Sequence, residues 1–329
     1  MKILITGANG FVGSHLSKKL LQEGHTVFGL VRTPSKILLP HANFYLIKGD
    51  LSTDNLSWAK ALPDDLDGCI HTAGLVHSYN RDDFFRVNTE GTKVLILKLK
   101  ELYPLKFKFL LISSLAAAGP VALGEKKDEE QIDFPVSEYG RSKKESENYL
   151  KNLAPTSWQT SIIRPPMIIG PGDMAVLDIF KMVKSRIIIL PGMNSKLKEY
   201  SFVCVFDLLE TITKLLVCEE SMLLYSAFPK TIQFKELIEE IRKQLKITWL
   251  IYLPIPLFIV KIISLLLSMI FKIKKHDLRL TPDKISELAP MAWTCDSTRS
   301  ETRLGQIYQY NLNVTVSNTL KDYRERGWI

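Results

Sequence analysis

The sequence is poor in cysteine and has no cysteine pattern that could form a metal site. Only four of its 329 residues are cysteines, they lie far apart, and none forms a C-x-x-C pair. This usage argues against a metal centre and fits a reduced, cytoplasmic protein. A signal peptide is not expected either, because the first residues lack a basic lead and a cleavage site and form an apolar strand instead. The four cysteines are Cys69, Cys204, Cys218 and Cys295.

Motifs that read nucleic acid are also absent, although the chain is basic. It has 43 Lys and Arg against 35 Asp and Glu, a net charge of +8 and a pI of about 9.1. Such a balance suits a phosphorylated ligand, nucleic acid or an anionic membrane surface. Because no DNA- or RNA-reading motif accompanies the charge, we expect no nucleic-acid partner. The hydrophobic fraction of 46% is enough for a core, and the length suits two modest domains or one large domain with a lobe.

The first half of the chain alternates apolar runs with amphipathic segments. Such alternation indicates a parallel sheet covered by helices on both faces. The second half is less regular. We therefore expect a first domain over residues 1–170, to which 200–218 returns, and a smaller lobe over 171–199 and 219–329. The predicted strands are 2–6, 26–31, 44–47, 69–72, 107–113 and 160–164, and the predicted helices are 12–23, 85–102, 139–153 and 234–245.

Three glycines, Gly7, Gly10 and Gly13, fill the turn between the first predicted strand and the first helix. In a dinucleotide-binding turn the first glycine permits the tight bend. The second lets the backbone approach the pyrophosphate, and the third lets helix and strand pack closely. The helix N-terminus then offers free N–H groups and a partial positive charge to phosphate. An ordinary glycine-rich turn is the alternative, but the strand before and the amphipathic helix after it favour a dinucleotide.

A cation, Arg32, ends the second predicted strand, 19 residues after Gly13. NAD-binding folds usually place an acidic residue near this point, where it holds the ribose 2′-hydroxyl and repels a 2′-phosphate. An arginine does the reverse, so we favour NADP over NAD, with Lys36 able to assist. A solvated loop arginine is the alternative. Asp50 and Leu51, after the third strand, could cover the adenine, or Asp50 could simply cap a turn.

Tyr139 and Lys143 open a predicted helix with i, i+4 spacing, which places them on one face. A tyrosine has a pKa of about 10, and a nearby ammonium would lower this pKa by stabilising the phenolate. Tyr139 could then exchange a proton with an alcohol or carbonyl, and Lys143 could also bond the nicotinamide ribose. Ser113 and Ser114 end the fifth strand, at the edge of the sheet where such folds bind ligands. Both patterns also occur as ordinary helix-face and strand-end residues.

In their order along the chain, these motifs resemble those of the extended short-chain dehydrogenase/reductase superfamily, the NAD-dependent epimerase/dehydratase group. The resemblance covers nearly the whole chain. It implies a Rossmann-type α/β fold, with a doubly wound parallel sheet and a smaller C-terminal α/β substrate lobe. It also implies a homodimer formed through the Tyr139 helix, and chemistry that needs no metal. The motifs are TGANGFVG at 6–13, HTAG at 71–74, VNTEGT at 87–92, SSLAAAG at 113–119, YGRSK at 139–143, RPPMIIGPGD at 164–173, YSFVCVFDL at 200–208, WTCDSTRSETRLG at 293–305 and DYRERGWI at 322–329.

The resemblance implies roles at the matching positions. Ser114, rather than Ser113, would act with Tyr139 and Lys143 in catalysis. Asn88 would support the active-site helix or a proton-relay water. The residues that would contact the cofactor are Gly7, Gly10, Phe11, Val12, Gly13, Arg32, Lys36, Asp50, Leu51, Ala73, Gly74, Asn88, Lys143, Pro166 and Ile168.

Two departures from the group's pattern point to one branch of it. Members that bind nucleotide sugars usually have an asparagine at the position of Met167 and an arginine at that of Tyr200. Without them a buried diphosphate would lack partners, which is costly. The sequence therefore looks more like the dihydroflavonol-4-reductase and 3β-hydroxysteroid dehydrogenase branch, and predicts hydride transfer between nicotinamide and a ketone or secondary alcohol on a largely apolar substrate. A nucleotide-sugar epimerase or dehydratase that retains NAD, and a dinucleotide-binding protein without turnover, are the alternatives.

Residues 249–279 form the longest apolar stretch of the sequence. A bilayer span needs about 20 apolar residues, whereas 257–271 is shorter and contains Lys261. We therefore expect a helix of the substrate lobe and favour one that is buried or lines the pocket. The alternative is peripheral docking on a membrane, with basic side chains at lipid phosphates. Those side chains would be Lys272, Lys274 and Lys275.

Overall fold

The computed structural model of the protein describes residues 1–34, 40–53, 55–271 and 281–329. The predicted cofactor contact of Lys36 lies outside these ranges, as do Lys272, Lys274 and Lys275. Within them the strands are β1 Lys2–Thr6, β2 Thr26–Val31, β3 Phe44–Lys48, β4 Gly68–His71, β5 Phe107–Ile112, β6 Trp158–Arg164, β7 Met167–Ile169, β8 Ile187–Pro191, β9 Glu199–Tyr200, β10 Phe202–Cys204, β11 Met222–Tyr225, β12 Ile232–Gln233, β13 Ile251–Ile255 and β14 Ala292–Trp293. The helices are α1 Phe11–Gln22, α2 Arg81–Phe84, α3 Gly91–Leu102, α4 Leu115–Ala118, α5 Glu138–Leu153, α6 Leu177–Lys184, α7 Val205–Val217, α8 Phe234–Gln244, α9 Leu257–Phe271, α10 Pro282–Leu288, α11 Thr298–Leu304 and α12 Leu312–Glu325.

The described residues form a seven-stranded parallel sheet in the order β11-β6-β5-β4-β1-β2-β3. The chain runs outward from β1 to β3, returns to β4 on the other side of β1, and continues outward through β5 and β6. This reversal creates a crevice at the carboxyl ends of β1 and β4, where doubly wound sheets bind their ligands. The predicted Rossmann-type α/β fold is confirmed.

Two apolar layers hold the sheet between its helices. On one face α1 and α7 bury aliphatic side chains against the strands, and on the other face α3 and α5 do so. The strand β1 contributes Ile3 and Ile5 to the first layer and Leu4 to the second. Successive side chains of a strand point to opposite faces, so a central strand must be apolar throughout, as β1 is.

A smaller lobe has a core of its own, which contains Phe180 of α6, Phe202 of β10 and Tyr323 of α12. Short strands at the edge of this lobe pair in the order β12-β9-β14, and β8 pairs with β13. The segment that returns to the large sheet extends beyond its predicted end at residue 218. The reason is that β11 pairs in parallel with β6 and so becomes the outer strand of the sheet.

The apolar segment after β13 is largely exposed over residues 257–266, so the expectation of a buried helix is wrong there, while a pocket-lining role stays a prediction. Within residues 257–266 of α9, only Val260 and Ser264 are buried. Phe258 and Ile262 keep 66% and 53% of their surface exposed. In the part of the chain that the structure describes, no helix is both long enough and apolar enough to cross a membrane.

Candidate active site

The glycine turn after β1 has no room for a side chain at Gly7 or at Gly13. Gly7 has a φ of +68°, and a methyl group there would lie 2.9 Å from the backbone of Ala73. A methyl group on Gly13 would lie 2.2 Å from the Gly7 carbonyl oxygen. The Gly10 N–H donates to that same oxygen at 2.8 Å. Only glycine lets β1, α1 and the loop after β4 meet this closely.

The N-terminus of α1 has room for an anion. Its N-cap is Gly10, so in this fully described stretch no side chain caps the helix, and its first turn has no acidic residue. The N–H groups of Phe11 and Val12 therefore lack a capping side chain, and the positive end of the helix dipole is not neutralised locally. These features fit the pyrophosphate of a dinucleotide.

A buried chain of hydrogen bonds ties β1 to β4 next to the turn. Thr6 Oγ1 lies 2.6 Å from His71 Nδ1, and His71 Nε2 lies 2.8 Å from Thr92 Oγ1. Thr6 Oγ1 also accepts from the Ala73 N–H at 3.2 Å. Burial, and then the charge of Lys143, lower the pKa of His71 to about 3, so the ring is neutral and acts as a bridge. Sequence reasoning missed this bridge because its partners lie 65 and 21 residues from the histidine.

Asn88 lies in a π-helical turn, Phe85–Glu90, within the helix predicted over 85–102. Its Oδ1 accepts from the Leu75 N–H at 2.7 Å, and its Nδ2 donates to the Leu75 carbonyl at 3.0 Å. Nδ2 also donates to Ser142 Oγ of α5 at 2.9 Å. One side chain thus joins the loop after β4 to α5, which is the geometry that a supporting role for Asn88 needs. π-helical turns often occur at functional sites.

Lys143 is buried at the carboxyl end of β5. Its Nζ donates to the Ile112 carbonyl at 2.7 Å, and a methyl group on Gly74 would lie 3.8 Å from Nζ. Burial, which is the larger effect, lowers the pKa of Lys143 to about 8, and the Glu147 carboxylate acts in the opposite direction. The ammonium is therefore still charged at neutral pH. It lies beside the loop that includes Ala73 and Gly74.

A pair of hydroxyl groups, from Ser114 and Tyr139, lies at the same edge of the sheet. Ser114 caps the short helix α4, where its Oγ accepts from the Ala116 N–H at 3.1 Å. Its hydroxyl also lies close enough to the Tyr139 phenol to act on the pKa of that phenol. Ser113 is buried instead and donates to Glu147 at 2.5 Å. The two adjacent serines therefore differ, and Ser114 is the one paired with Tyr139.

The Tyr139 phenol is protonated at neutral pH. Burial raises its pKa to about 12, the hydrogen bond to Ser114 acts in the opposite direction, and the Glu287 carboxylate adds to the rise. The predicted lowering of this pKa by Lys143 is therefore wrong for the chain by itself, because burial has the largest effect on the phenol and raises its pKa. A neutral phenol can donate a proton, which is what the reduction of a carbonyl requires.

A buried network of charges fixes α5 against the sheet. Arg164, at the end of β6, pairs with Glu147 of α5 at 2.6 Å and with Asp133 at 2.7 Å. Its guanidinium also donates to the Tyr225 hydroxyl at 3.1 Å. Several fixed partners around one buried cation make a rigid support. The support holds α5, and with it Tyr139, at a set distance from β5.

Helix α10 of the lobe covers the start of α5. Asp283 accepts from the Glu138 N–H at 2.6 Å and from the Tyr139 N–H at 3.3 Å. Glu287 accepts from Ser137 Oγ at 2.8 Å. Carboxylates are stabilising at a helix N-terminus, so α10 both caps the helix and brings negative charge beside the phenol. The capping contact joins residues 145 positions apart, and no local sequence signal indicates it.

Two predicted cofactor residues near β2 and β3 have different surroundings. Arg32 is exposed directly after β2. Burial raises the pKa of Asp50, but hydrogen bonds from Ser52 and the charges of Arg32 and Arg86 outweigh it, so the pKa is lowered. Asp50 Oδ1 accepts from the Ser52 N–H at 2.9 Å, which is the turn-capping alternative. Leu51 packs against the apolar layer on the α3 side of the sheet.

Pro166 and Ile168, which are expected to contact the cofactor, continue the site from β6 into the lobe. Residues 166–168 follow β6, and Met167 pairs with Phe202 of β10. Tyr200 packs with Tyr139 against one apolar cluster. Burial raises the pKa of Tyr200 to about 12, so its phenol is neutral. The two positions that depart from the nucleotide-sugar pattern thus carry no charge.

The glycine turn, the uncapped helix and the Ser114–Tyr139 pair lie around one crevice. All of them fall within residues 3–221, the region matched by the model of the NAD dependent epimerase/dehydratase family. The chain belongs to that family. This confirms the resemblance to the extended short-chain dehydrogenase/reductase superfamily and makes the protein a member of an enzyme family.

Curated relatives of this family member include reductases. The chain is 31% identical over 193 residues to the ceramide reductase of Caulobacter vibrioides, which covers 58% of this chain and 54% of that protein. It is 29% identical to the ketoreductase azaE of Aspergillus niger, over 60% of this chain and 66% of that protein. It is 28% identical to a 3 beta-hydroxysteroid dehydrogenase/Delta 5-->4-isomerase of Mycobacterium tuberculosis, over 61% and 57%. The chain thus spans between about half and two thirds of the length of these relatives.

Solved structures of similar fold match almost the whole chain. The UDP-glucuronic acid 4-epimerase of Bacillus cereus, in complex with UDP-glucuronic acid and NAD, has a TM-score of 0.78 at 20% identity and covers 99% of this chain and 100% of its own. The UDP-glucose 4-epimerase of Thermus thermophilus, in complex with NAD, has a TM-score of 0.78 at 18% identity and covers 98% and 99%. At these identities the likeness shows the fold.

Proposed function

We propose that the protein is an NADP(H)-dependent oxidoreductase that interconverts a ketone and a secondary alcohol on a largely apolar substrate. The observation that carries this proposal is the Ser114–Tyr139 hydroxyl pair, in which Tyr139 is protonated and lies on α5, the helix that carries the buried Lys143 ammonium one turn further on. The glycine turn and the uncapped α1 would hold the pyrophosphate, and Lys143 would bond the ribose. When bound, the dinucleotide supplies or accepts the hydride.

The protein's own residues would handle the substrate oxygen and its proton. In reduction, the Ser114 and Tyr139 hydroxyls donate hydrogen bonds to the carbonyl oxygen, and Tyr139 transfers its proton as the alcohol forms. In oxidation the same groups work in reverse, and the raised pKa of Tyr139 makes the phenolate the less accessible form. The network around Arg164 and the cap from Asp283 keep Tyr139 in place during either step.

An apolar substrate suits the lining on the lobe side of the crevice. Met167 and Tyr200 offer no charge to a diphosphate, and burial keeps the Tyr200 phenol neutral. A diphosphate without cationic or N–H partners would pay a large desolvation cost. The names of the curated relatives, a ceramide reductase, a ketoreductase and a 3 beta-hydroxysteroid dehydrogenase, support the same class of chemistry.

The preference for NADP rests on Arg32. It is exposed directly after β2, the position from which a guanidinium can pair with a 2′-phosphate. The two epimerases of similar fold, which were solved in complex with NAD, differ from this chain in more than three quarters of aligned residues. Arg32→Asp should therefore reverse the preference, lowering NADP(H) affinity and raising NAD(H) affinity. Isothermal titration with both coenzymes measures the change, and tighter binding of NAD(H) by the wild type would refute the argument.

The reaction itself is tested by NADPH oxidation with a panel of apolar ketones, and by NADP⁺ reduction with the matching secondary alcohols. We expect turnover with at least one pair, and no nicotinamide in the protein as purified. Tightly retained NAD, together with interconversion of a UDP-sugar and no net turnover of added NADPH, would instead identify a nucleotide-sugar epimerase. Dinucleotide binding without either activity would identify a binding protein.

We further propose that the enzyme works in the cytoplasm as a homodimer formed through α5. The family resemblance supports this, and α3, which packs beside α5, leaves Leu97 45% exposed. Light scattering of the wild type should give twice the mass of the 37.5 kDa chain. A monomer at all concentrations tested would contradict the proposal.

A further inference from the structure

A two-stranded ribbon of the lobe exposes aliphatic side chains on its outer face. In the register of β8 and β13, Ile187 lies opposite Ile251 and Ile189 opposite Leu253. All four are exposed. Ile188 and Leu190, which alternate with Ile187 and Ile189 along β8, lie in the core of the lobe. A ribbon with one face in water normally carries polar residues there. Here both faces are apolar.

The helix that follows the ribbon has its apolar side turned outward. Within residues 257–266 of α9 only Val260 and Ser264 are buried, and the Ser264 hydroxyl has no hydrogen-bond partner among the described residues. The exposed positions carry much larger apolar side chains. A helix that packs on a core does the reverse, with its bulky apolar stripe inward. Within residues 257–266, the exposed apolar side chains of α9 are Phe258, Ile259, Ile262, Ile263, Leu265 and Leu266.

In the sequence around β13 and α9, the charges are of one sign over residues 241–276. Residues 241–276 contain seven Lys and Arg and no Asp or Glu. Within α9, Lys261 is exposed between Val260 and Ile262. Apolar side chains interspersed with cations match an anionic lipid surface, where the apolar groups enter the interface and the cations meet phosphates.

Trp249 and Tyr252, just before and within β13, are aromatic residues of the kind found at membrane interfaces. The Arg186 guanidinium lies 4.8 Å from the centre of the Trp249 ring, and Lys196 Nζ lies 3.5 Å from that of Tyr252. Trp249 is 51% exposed. Trp and Tyr beside cations are favoured at the boundary between headgroups and acyl chains.

We propose that this ribbon–helix surface, the outer face of β8–β13 and the exposed side of α9, docks on an anionic lipid bilayer without crossing it. A second copy of the chain fits less well. In a two-fold interface the same patch meets itself, so Lys261 and its cationic neighbours would face like charges without any acidic partner from residues 241–276. α9 also packs against α10, which caps the Tyr139 helix. Docking would therefore hold the lobe, and with it the helix that caps the start of α5, at the lipid surface.

Co-sedimentation with vesicles tests the proposal, using phosphatidylcholine alone and phosphatidylcholine mixed with phosphatidylglycerol. We expect the wild type to pellet with the mixed vesicles and to be released by high salt. Phe258→Ser with Ile262→Ser, and separately Ile189→Ser with Leu253→Ser, should weaken binding roughly tenfold per residue replaced. Lys261→Glu should weaken binding to the anionic vesicles on the order of tenfold and leave binding to neutral ones nearly unchanged.

Two exposed apolar residues away from this surface supply the matched control. Leu105 and Ile307 are 77% and 70% exposed, and Leu105→Ser with Ile307→Ser should pellet like the wild type. Wild-type protein that stays in the supernatant, or a control variant that loses as much binding as the α9 variant, would overturn the proposal. So would light scattering that shows the α9 variant turning a dimer into a monomer, because the surface would then be a subunit interface.

Turnover assays of the same variants test the proposed reaction independently of membrane docking. None of the replaced residues lies in the crevice, so turnover of a water-soluble ketone should be unchanged in every variant. If the wild type pellets but shows no NADPH oxidation, docking stands and the proposed reaction fails. If turnover is present without pelleting, the reaction stands and docking fails.

Discussion

Replacing Lys143 by methionine separates what this ammonium does to the fold from what it does for the cofactor. Lys143 is buried, and burial lowers its pKa from 10.5 to about 8. A folded-state pKa below the unfolded one means that the charged form is held less well by the folded protein. Below pH 8 the fold bears the full free-energy cost of burying the charged ammonium, and this cost disappears as the pH rises from 8 through 10.5. Lys143 therefore destabilises the fold at neutral pH.

The two pKa values give the size of this effect. At pH 7 the cost is about 3 kcal/mol, and at pH 10, where folded Lys143 has already lost its proton, about 1 kcal/mol remains. Methionine removes the cost but leaves the Ile112 carbonyl without its donor, which costs about 1–3 kcal/mol at either pH. The carbonyl term cancels when the two pH values are compared. The stability of the variant relative to the wild type should thus be about 2–3 kcal/mol more favourable at pH 7 than at pH 10.

Urea unfolding of the wild type and Lys143→Met at the two pH values measures this difference. Lys151→Met, which replaces an exposed lysine of the same helix, is the control and should show no such dependence on pH. Lys143→Met should also bind NADP(H) more weakly, because a donor beside Gly74 is lost. A stability difference that is the same at pH 7 and pH 10 would refute burial of the charge, and unchanged NADP(H) affinity would remove Lys143 from the cofactor site.

Gly13→Ala should weaken NADP(H) binding by at least about tenfold, because its methyl group would lie 2.2 Å from the Gly7 carbonyl oxygen and force the turn apart. Calorimetric titration measures this, with Gly24→Ala, where nothing lies within 4 Å, as the control that keeps its affinity. Asp283→Ala should lower the free energy of unfolding by about 1 kcal/mol and reduce kcat, because α5 loses its cap at Tyr139. Asp283→Asn keeps an acceptor oxygen and should recover most of the stability and most of the kcat. Thermal denaturation and turnover assays measure the two quantities. Wild-type kcat in Asp283→Ala would show that the cap does not influence Tyr139.

The parts of the site that local sequence could predict are those built by neighbouring residues. The strand, the glycine turn and the helix over residues 2–22 follow from one short pattern, because Gly13 packs on the Gly7 carbonyl within the same unit and Gly7 has the positive φ of a tight turn. The order of strands follows from their alternation with helices. The resemblance to a family then pointed to Ser114 rather than Ser113 as the catalytic serine. The contacts agree, because Ser113 bonds to Glu147 and Ser114 lies beside the Tyr139 phenol.

What the sequence could not supply depends on distant contacts or on which face of a helix is covered. The Thr6–His71–Thr92 bridge and the cap from Asp283 join segments far apart in the chain. The spacing of Tyr139 and Lys143 says nothing about burial, which raises one pKa and lowers the other. Hydropathy marks α9 as apolar without telling which side faces the protein.

The most direct test of the account is the rate of NADPH oxidation by Tyr139→Phe with a ketone that the wild type reduces. The variant keeps the ring and loses only the phenolic hydroxyl, which carries the proton. We expect kcat to fall by about a hundredfold or more, while titration shows that NADPH still binds with wild-type affinity. Wild-type turnover by Tyr139→Phe would contradict the assignment of Tyr139 as the proton donor.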